Sequence, residues 1–361
     1  MRYSEILHTI ELIIEAGDVP LIIGESGIGK TALVSELGKL NNYEIVTIDA
    51  NLLKEGEIGG LPIVNNGRTE YATHYKLIDL KEKALKNNGK ALLFIDELNR
   101  CEHAVQQELM NLILNREING YILPNGIKII AAMNPSSKYE DFEYSDYQVV
   151  DMDPAQEDRF VWLQMESDIK EWIRWGMGKG NINTDIIEFL SMFPSYLHTP
   201  DSKENIKATP RSWERVSKAY TLYKKFPDRY PLNILLNVVK GNVGLSIATD
   251  FVNFISNKKK ALINVEDLFS YEVLPIELKE ELYNESQSRL YILAKSSLNF
   301  LEENNNKRNI ELFSNLLECY PRDLRLGIMK EIKKDYSNKL YEALLDCDEF
   351  IETFFKIYVN I

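Results

Sequence analysis

A glycine-rich stretch near the amino terminus constrains the fold of this chain more than any other part of its sequence. Residues 20–40 read PLIIGESGIGKTALVSELGKL and fit the pattern G-x-x-x-x-G-K-[ST]. The residues before the glycines are apolar and β-branched, which predicts a buried parallel strand. The residues after them carry apolar side chains at helical spacing. A strand, a glycine loop and a helix in this order favour phosphate binding, because successive backbone N–H groups and the helix amino terminus attract anions.

The pattern assigns separate tasks to its residues. We expect Lys30 to reach the β- and γ-phosphates of a nucleotide and the Thr31 hydroxyl to hold Mg²⁺. The alternative is an ordinary glycine turn between two elements. The predicted nucleotide-binding residues are Gly24, Glu25, Ser26, Gly27, Ile28, Gly29, Lys30 and Thr31.

Length, composition and charge narrow the class of protein. A chain of 361 residues with 45% hydrophobic content can form two or three domains with sizeable cores. A net charge of −13 opposes sequence-independent binding of nucleic acid, although a local basic groove stays possible. Glutamates interrupt the apolar residues of the amino-terminal segment, and no apolar run is long enough to span a bilayer. We therefore expect a globular, cytoplasmic protein without a membrane segment.

The cysteines indicate neither a disulfide framework nor a metal centre. Cys101, Cys319 and Cys347 are widely spread and odd in number, which argues against paired disulfides. Cys101 and His103 lie close in sequence, but no second metal-binding pair accompanies them. Ordinary surface or core side chains are the favoured interpretation.

A second strand is expected to bring carboxylates to the phosphate site. The segment GKALLFIDELNR contains an unbroken apolar strand that ends at Asp96 and Glu97. Ligands of open α/β sheets bind at the carboxyl ends of the strands. Asp96 therefore suits an outer-sphere Mg²⁺ role, and Glu97 suits a general base that orients or deprotonates water. The alternative for Asp96 is a cap of the following helix.

A third strand places an amide in the same layer. The segment IKIIAAMNPSS predicts a strand that ends just before Asn134. An asparagine there can hydrogen-bond the γ-phosphate or the attacking water. By itself, an Asn-Pro pair is a common start of a turn, so this interpretation depends on the other two segments.

Taken in order, these segments resemble an AAA+ ATPase, and more narrowly the MoxR-like branch of that family. The family shares DEINR-type, ATxNP-type and DRF motifs. They stand here as DELNR at residues 96–100, AAMNP at residues 131–135 and QEDRF at residues 156–160. The resemblance covers about residues 1–270, and the combined order of the motifs is far more specific than any one of them.

Two further segments resemble hairpins of the same family. GLPIVNNGRTEYATHYK, at residues 60–76, resembles the insert after the second helix, with a turn expected at residues 65–67. EINGYILPNGIKII, at residues 117–130, resembles the hairpin before sensor 1, with a turn expected at residues 124–126.

The resemblance also implies roles for single residues. Asn134 matches the sensor 1 position. Arg159 matches the arginine finger, which would reach the γ-phosphate held by a neighbouring subunit. Arg211, in the segment ATPRSWERVSKAY, matches sensor 2 and would contact the nucleotide of its own chain. Arg100 is a candidate for a second interface arginine, which the sequence leaves open.

Two of these arginines also have structural interpretations that involve no nucleotide. Arg211 follows Thr209, which can cap a helix, and Pro210, which can start one. A cation in the first turn of a helix is disfavoured by the helix dipole, which suggests a ligand, although an exposed helix arginine is the alternative. For Arg159 the alternative is an ion pair with Asp158 or a nearby carboxylate.

The sequence departs from the family between Asn134 and Arg159. The connection is longer than the family predicts and interleaves carboxylates with Tyr139, Phe142, Tyr144 and Tyr147. A solvated loop is the favoured interpretation and a surface that docks a partner is the alternative. The departure leaves the geometry of the finger open.

The fold class that follows is α/β, with three parts. Residues 1–166 alternate strands and helices and predict a parallel-sheet P-loop AAA+ core. Residues 167–273 predict an all-helical lid that contains sensor 2, and residues 274–361 a helical carboxyl-terminal extension of unknown role. Helices are expected near residues 3–16, 169–177, 184–192, 211–223, 232–239 and 244–255.

The resemblance implies an ATPase that uses ATP and Mg²⁺, assembles as a homo-hexamer, and remodels or matures a protein client. A von Willebrand factor A domain protein is the partner that it implies. A nucleic-acid motor or restriction-type NTPase is the main rival, and a scaffold that binds nucleotide with little turnover is a second. The sequence identifies neither the client nor the ring size, and it does not decide between ATP and GTP.

Overall fold

The computed structural model describes residues 1–139, 147–257, 263 and 265–359, and the chain forms two compact units. The first unit consists of Met1–Glu171, His198–Lys203 and Thr209–Arg211. The second consists of Trp172–Leu197, Glu204–Ala208 and Ser212–Ile361. The expected division into three domains at residues 166 and 273 stays a prediction.

The described residues form the following elements. The strands are β1 (Pro20–Ile23), β2 (Glu44–Asp49), β3 (Pro62–Asn65), β4 (Arg68–Tyr71), β5 (Ala91–Asp96), β6 (Glu117–Ile118), β7 (Tyr121–Ile122), β8 (Lys128–Met133) and β9 (Val161–Gln164). The helices up to β9 are α1 (Tyr3–Ala16), α2 (Lys30–Asn41), α3 (Tyr75–Lys86), α4 (His103–Leu114) and α5 (Pro154–Glu157). The later helices are α6 (Ile169–Met177), α7 (Thr184–Met192), α8 (Pro210–Lys225), α9 (Leu232–Val243), α10 (Leu245–Asn257), α11 (Val265–Ser270), α12 (Ile276–Tyr283), α13 (Gln287–Glu303), α14 (Lys307–Glu318), α15 (Arg322–Asp335), α16 (Asn338–Leu345) and α17 (Asp348–Val359).

Five parallel strands form the sheet of the first unit, in the order β2, β5, β8, β1, β9. Every residue of β1 is buried, as expected for a strand covered on both faces. Ile23 pairs with Met133, so β1 and β8 end side by side. The predicted α/β class with a parallel sheet is therefore confirmed, and β1, β5 and β8 lie where the sequence analysis placed strands.

Alternate residues of each strand enter different cores, because side chains of a strand point to opposite faces. On one face Ile22 and Phe94 belong to a core that includes Ile10 of α1 and Leu33 of α2. On the other face Leu21 belongs to a core shared with residues of α3 and α4. The sheet is thus covered by helices on both sides, which fixes the carboxyl ends of its strands.

Two hairpins lie outside this sheet. The β3–β4 hairpin turns at Asn66 and Gly67, both with positive φ (50° and 76°), as predicted. The prediction for the second hairpin was wrong: β6 and β7 turn at Asn119 and Gly120, with φ of 46° and 85°, and not at residues 124–126. A two-residue hairpin turn of this type needs positive φ at both positions, which Asn-Gly adopts readily and the fixed φ of proline excludes.

The described residues of the second unit are helical, as predicted for both of its parts. Phe189, Trp213 and Phe251 pack together with ring centroids 5.2 to 5.9 Å apart. Only residues 304–306 connect α13 to α14. Asn306 caps α14 by accepting the Asn309 N–H at 3.0 Å. Among the described residues, no helix combines the length and apolar character needed to cross a membrane.

A buried ion pair connects two helices of the second unit. Arg289 Nε of α13 lies 3.4 Å from Glu188 Oε1 of α7, and the Glu188 side chain is only 3% exposed. Burying a carboxylate without a partner is costly, so this pair fixes α7 against α13.

Candidate nucleotide-binding site

The glycine loop between β1 and α2 is shaped by close packing. A Cβ at Gly24 would lie 2.9 Å from the Met165 carbonyl oxygen, so only glycine fits there. Gly29 has φ of 111°, which favours glycine, and α2 begins at the next residue. The loop therefore turns directly into the amino terminus of a helix, which is the geometry that binds phosphate.

Lys30 lies buried at the base of this loop. Its Nζ donates hydrogen bonds to the carbonyl oxygens of Gly24 (2.5 Å) and Glu25 (3.1 Å) and to Asn134 Oδ1 (3.1 Å). These three acceptors match the three N–H groups of an ammonium. The first and third predicted segments therefore meet at one side chain.

Burial lowers the pKa of Lys30 to about 8, and the nearby carboxylates of Asp96, Glu25 and Glu97 oppose that shift. The positive charge of Arg211 also lowers it. A cation held in so little water is poised to gain interaction free energy when an anion arrives.

Thr31 and Asp96 bring two oxygens together beside the loop. Thr31 Oγ1 donates to Asp96 Oδ2 at 2.9 Å, and Asp96 Oδ1 accepts the Glu97 N–H at 3.0 Å. A hydroxyl and a carboxylate at this separation suit Mg²⁺, which prefers hard oxygen ligands. The alternative role for Asp96 is not observed, because the short 3₁₀ helix that follows, Leu98–Arg100, has Glu97 at its amino-terminal cap and α4 has Glu102.

Glu97 follows β5 in an uncommon backbone conformation. Its φ is 55° and its ψ is 38°, in the left-handed region that a non-glycine residue seldom adopts. Its carboxylate is half-buried and lies 3.5 Å from Arg100 Nη1. An ion pair this open is weak, so the carboxylate stays available to a water molecule. The structure places Arg100 beside Glu97, and its role at an interface stays open.

Asn99 is a site residue that the sequence reasoning missed. Its side-chain amide donates to the Asn134 carbonyl oxygen at 2.8 Å and accepts the Asn134 N–H at 3.2 Å. Both hydrogen bonds are buried, so they fix the backbone from which the Asn134 side chain reaches Lys30. The signal was present in the DELNR segment, where the sequence reasoning gave Asn99 no role.

Arg159 lies at the other end of the sheet from the glycine loop of its own chain. Val161 pairs with Pro20 and Gln164 with Ile23, so residues before Val161 lie beyond the amino end of β1. At the rise of a strand, β9 spans about 10 Å from Val161 to Gln164, and Arg159 lies before its first residue. The Arg159 side chain is exposed and makes no ion pair within the described residues. The alternative of an ion pair with Asp158 or a nearby carboxylate is therefore not observed.

Arg211 contacts the glycine loop through its backbone. Helix α8 begins at Pro210, as predicted, and the Arg211 N–H donates to the Gly27 carbonyl oxygen at 3.2 Å. The side chain is exposed, and its charge reaches Lys30. This position is compatible with a contact to nucleotide in the same chain.

The ends of the acidic and aromatic segment pack inward, which corrects the expectation of a solvated loop there. Tyr139 Oη donates to Glu157 Oε1 at 2.9 Å, and its ring packs edge-on against Trp162. Tyr147 Oη accepts the Ser26 N–H of the glycine loop at 3.0 Å. Residues 140–146, between them, lie outside the described residues.

The three cysteines are free and buried. Burial raises the pKa of the Cys101 thiol to about 11, which disfavours a reactive thiolate. In the part of the chain that the structure describes, no three His, Cys, Asp or Glu side chains form a group that could hold a metal ion.

Comparisons with known proteins agree with the fold. The sequence profile of the AAA domain (dynein-related subfamily) matches residues 20–160. No curated protein matches this chain.

Solved structures of low similarity were also found. They include the RuvB Holliday junction branch migration motor of Thermotoga maritima, with 17% identity, coverage of 81% of this chain and 80% of that chain, and a TM-score of 0.33. They also include NtrX of Brucella abortus, with 13% identity, coverage of 92% and 67%, and a TM-score of 0.33. At these TM-scores the likeness carries no argument about function. The similarity to this family lies within residues 20–160, which include the glycine loop and the strand ends described above.

Proposed function

We propose that this chain hydrolyses ATP. The observation that carries the proposal is that the glycine loop after β1 meets the ends of β5 and β8. Thr31 Oγ1 lies 2.9 Å from Asp96 Oδ2, and Lys30 Nζ lies 3.1 Å from Asn134 Oδ1. A hydroxyl, a carboxylate, an ammonium and an amide thus surround the mouth of an anion-binding loop, as phosphoryl transfer requires.

Each residue has a distinct task in this proposal. Lys30 offsets the charge of the β- and γ-phosphates, and Thr31 with Asp96 holds Mg²⁺. When bound, Mg²⁺ would supply positive charge to the phosphate oxygens. Glu97 accepts a proton from the attacking water, and Asn134 orients that water or the γ-phosphate.

We also propose that the active form is a homo-hexameric ring. Arg159 is exposed and lies away from the glycine loop of its own chain, so it suits a γ-phosphate held by a neighbouring subunit. Arg211 suits the nucleotide of its own chain, because its backbone already contacts Gly27.

A protein client is the proposed substrate of the ring, as in the MoxR-like ATPases that the sequence resembles. The β3–β4 hairpin presents apolar side chains to solvent, with Val64 81% exposed, and these could contact a client. A partner with a von Willebrand factor A domain is part of the same proposal. The net charge of −13 weighs against the nucleic-acid motor.

Lys30→Ala is expected to weaken binding of MgATP by about 100-fold or more, because it removes a buried charge that pairs with phosphate. Isothermal titration calorimetry with MgATP and MgGTP would measure the loss and also decide between the two nucleotides. Lys39→Ala is the matched control, since Lys39 is an exposed lysine of the same helix. Normal ATP affinity in folded Lys30→Ala would disprove the proposed site.

Nucleotide binding is also expected to take up protons near pH 9. With a pKa of about 8, Lys30 is mostly neutral at that pH in the free protein. A bound phosphate favours the ammonium and raises the pKa, so affinity should fall as pH rises above 8. Titrations at pH 9 in two buffers of different ionisation enthalpy would measure the uptake. At pH 7 Lys30 is already charged, so it should take up no proton when nucleotide binds. Equal proton uptake at pH 7 and pH 9 would contradict the assignment.

A further inference from the structure

We propose that Tyr147 binds the γ-phosphate and thereby allows the site to distinguish a nucleoside triphosphate from a diphosphate. This inference rests on the proposed function. It adds a specificity residue that belongs to none of the motifs in the sequence.

The position of Tyr147 is set by contacts to two neighbouring residues of the glycine loop. The Ser26 N–H donates to Tyr147 Oη at 3.0 Å across 121 residues of sequence. The Glu25 carboxylate interacts with the same hydroxyl. Tyr147 therefore lies on the outer part of the loop, before the backbone N–H groups that lead into α2.

The surroundings of the hydroxyl favour the γ-phosphate end of the site. Arg100 is close enough for its charge to affect Tyr147, and Arg100 lies 3.5 Å from Glu97. Glu97 is the proposed base for the water that attacks the γ-phosphate. Backbone near Tyr147 is tied to the same region, because the Val150 N–H donates to the Asn99 carbonyl oxygen at 2.8 Å.

The hydroxyl has one proton to donate, and its acceptor can change. Burial and the Glu25 carboxylate raise the pKa of Tyr147 to about 12, so the phenol stays protonated at neutral pH. Its oxygen accepts from Ser26, which leaves the proton directed to Glu25. A γ-phosphate oxygen is a more highly charged acceptor than one carboxylate and would take over this hydrogen bond. A diphosphate has no oxygen at that position, so Tyr147 would remain with Glu25.

The test compares two nucleotides in a variant that lacks only the hydroxyl. Tyr147→Phe should weaken binding of MgATPγS by about 10-fold, the effect of losing a hydrogen bond to a charged group. Binding of MgADP should change by less than about 2-fold. Calorimetric affinities for both probes give the result without reference to hydrolysis.

Tyr139→Phe is the matched control. It removes a hydroxyl from the same connection, where Tyr139 donates to Glu157 at 2.9 Å away from the glycine loop. In Tyr139→Phe, the ratio of the affinity for MgATPγS to the affinity for MgADP should stay at the wild-type value. Unchanged MgADP binding in Tyr147→Phe also shows that the loop is still folded.

The possible outcomes separate this inference from the proposed function. If Tyr147→Phe weakens both nucleotides equally, leaves both unchanged, or tightens MgATPγS, then Tyr147 does not bind the γ-phosphate, and the ATPase proposal stands. If the wild-type protein binds neither nucleotide, the proposed function is wrong and this inference is wrong with it.

Discussion

Arg159→Ala is expected to lower ATP hydrolysis by roughly 10³-fold while ATP binding stays nearly unchanged. An arginine at the γ-phosphate interacts most strongly where charge spreads in the transition state, so its loss affects rate more than ground-state binding. Steady-state ATPase assays and calorimetry on the same variant would measure the two effects.

The position of Arg159 predicts that this arginine acts between subunits. It precedes β9, and the other end of that strand, about 10 Å further on, adjoins the glycine loop, so its side chain suits the nucleotide of a neighbouring subunit better than that of its own. Hydrolysis by the wild-type protein should therefore rise more steeply than linearly with protein concentration until rings are complete.

Mixing two inactive variants tests the same point. Arg159→Ala keeps its own nucleotide site, and Lys30→Ala keeps its arginine, so mixed rings should recover measurable activity. A mixture that stays inactive although mixed rings form would show that Arg159 is not the finger. Unfolding of Arg159→Ala would instead indicate a structural role.

Glu97→Gln is expected to keep MgATP bound and to lose 10²- to 10⁴-fold in hydrolysis, roughly the effect of removing a general base. Glutamine has nearly the same shape, so the left-handed backbone at this residue should be preserved. Single-turnover hydrolysis and nucleotide retention after gel filtration would measure both properties.

Glu102→Gln is the control for that variant. Glu102 is exposed, and its side chain makes no capping hydrogen bond to α4, so the substitution should leave the rate unchanged. A wild-type rate in Glu97→Gln would mean that another group takes the proton. If Glu97→Gln behaves as expected, the ATP-bound ring would also be a suitable bait for its client.

The fold could be predicted largely from local signals. Unbroken apolar runs such as residues 91–95 identified the buried strands, and apolar residues at helical spacing identified the helices. The second hairpin was misplaced because two turn-forming segments, Asn119–Gly120 and residues 124–126, compete within a few residues. Only the strand pairing selects the first, since the second lies outside the β6–β7 ladder.

The candidate site was predictable where it depends on a motif and unpredictable where it depends on contacts over long sequence separations. The strand ends brought Lys30 and Asn134 together as expected. Asn99 holds Asn134 across 35 residues, and Tyr147 contacts Ser26 across 121 residues. Asn99 belongs to the DELNR segment, but its partner depends on how distant segments pack, and the Tyr147 contact leaves no pattern in the sequence near either residue.

The ion pair between Glu188 and Arg289 makes α7 depend on a helix that comes much later in the chain. Both side chains are largely removed from water, so replacing only one of them would leave the other charge poorly compensated in a poorly solvated place. A substitution at residue 188 should therefore be tolerated best when residue 289 changes with it. In related sequences we expect these two positions to vary as a pair.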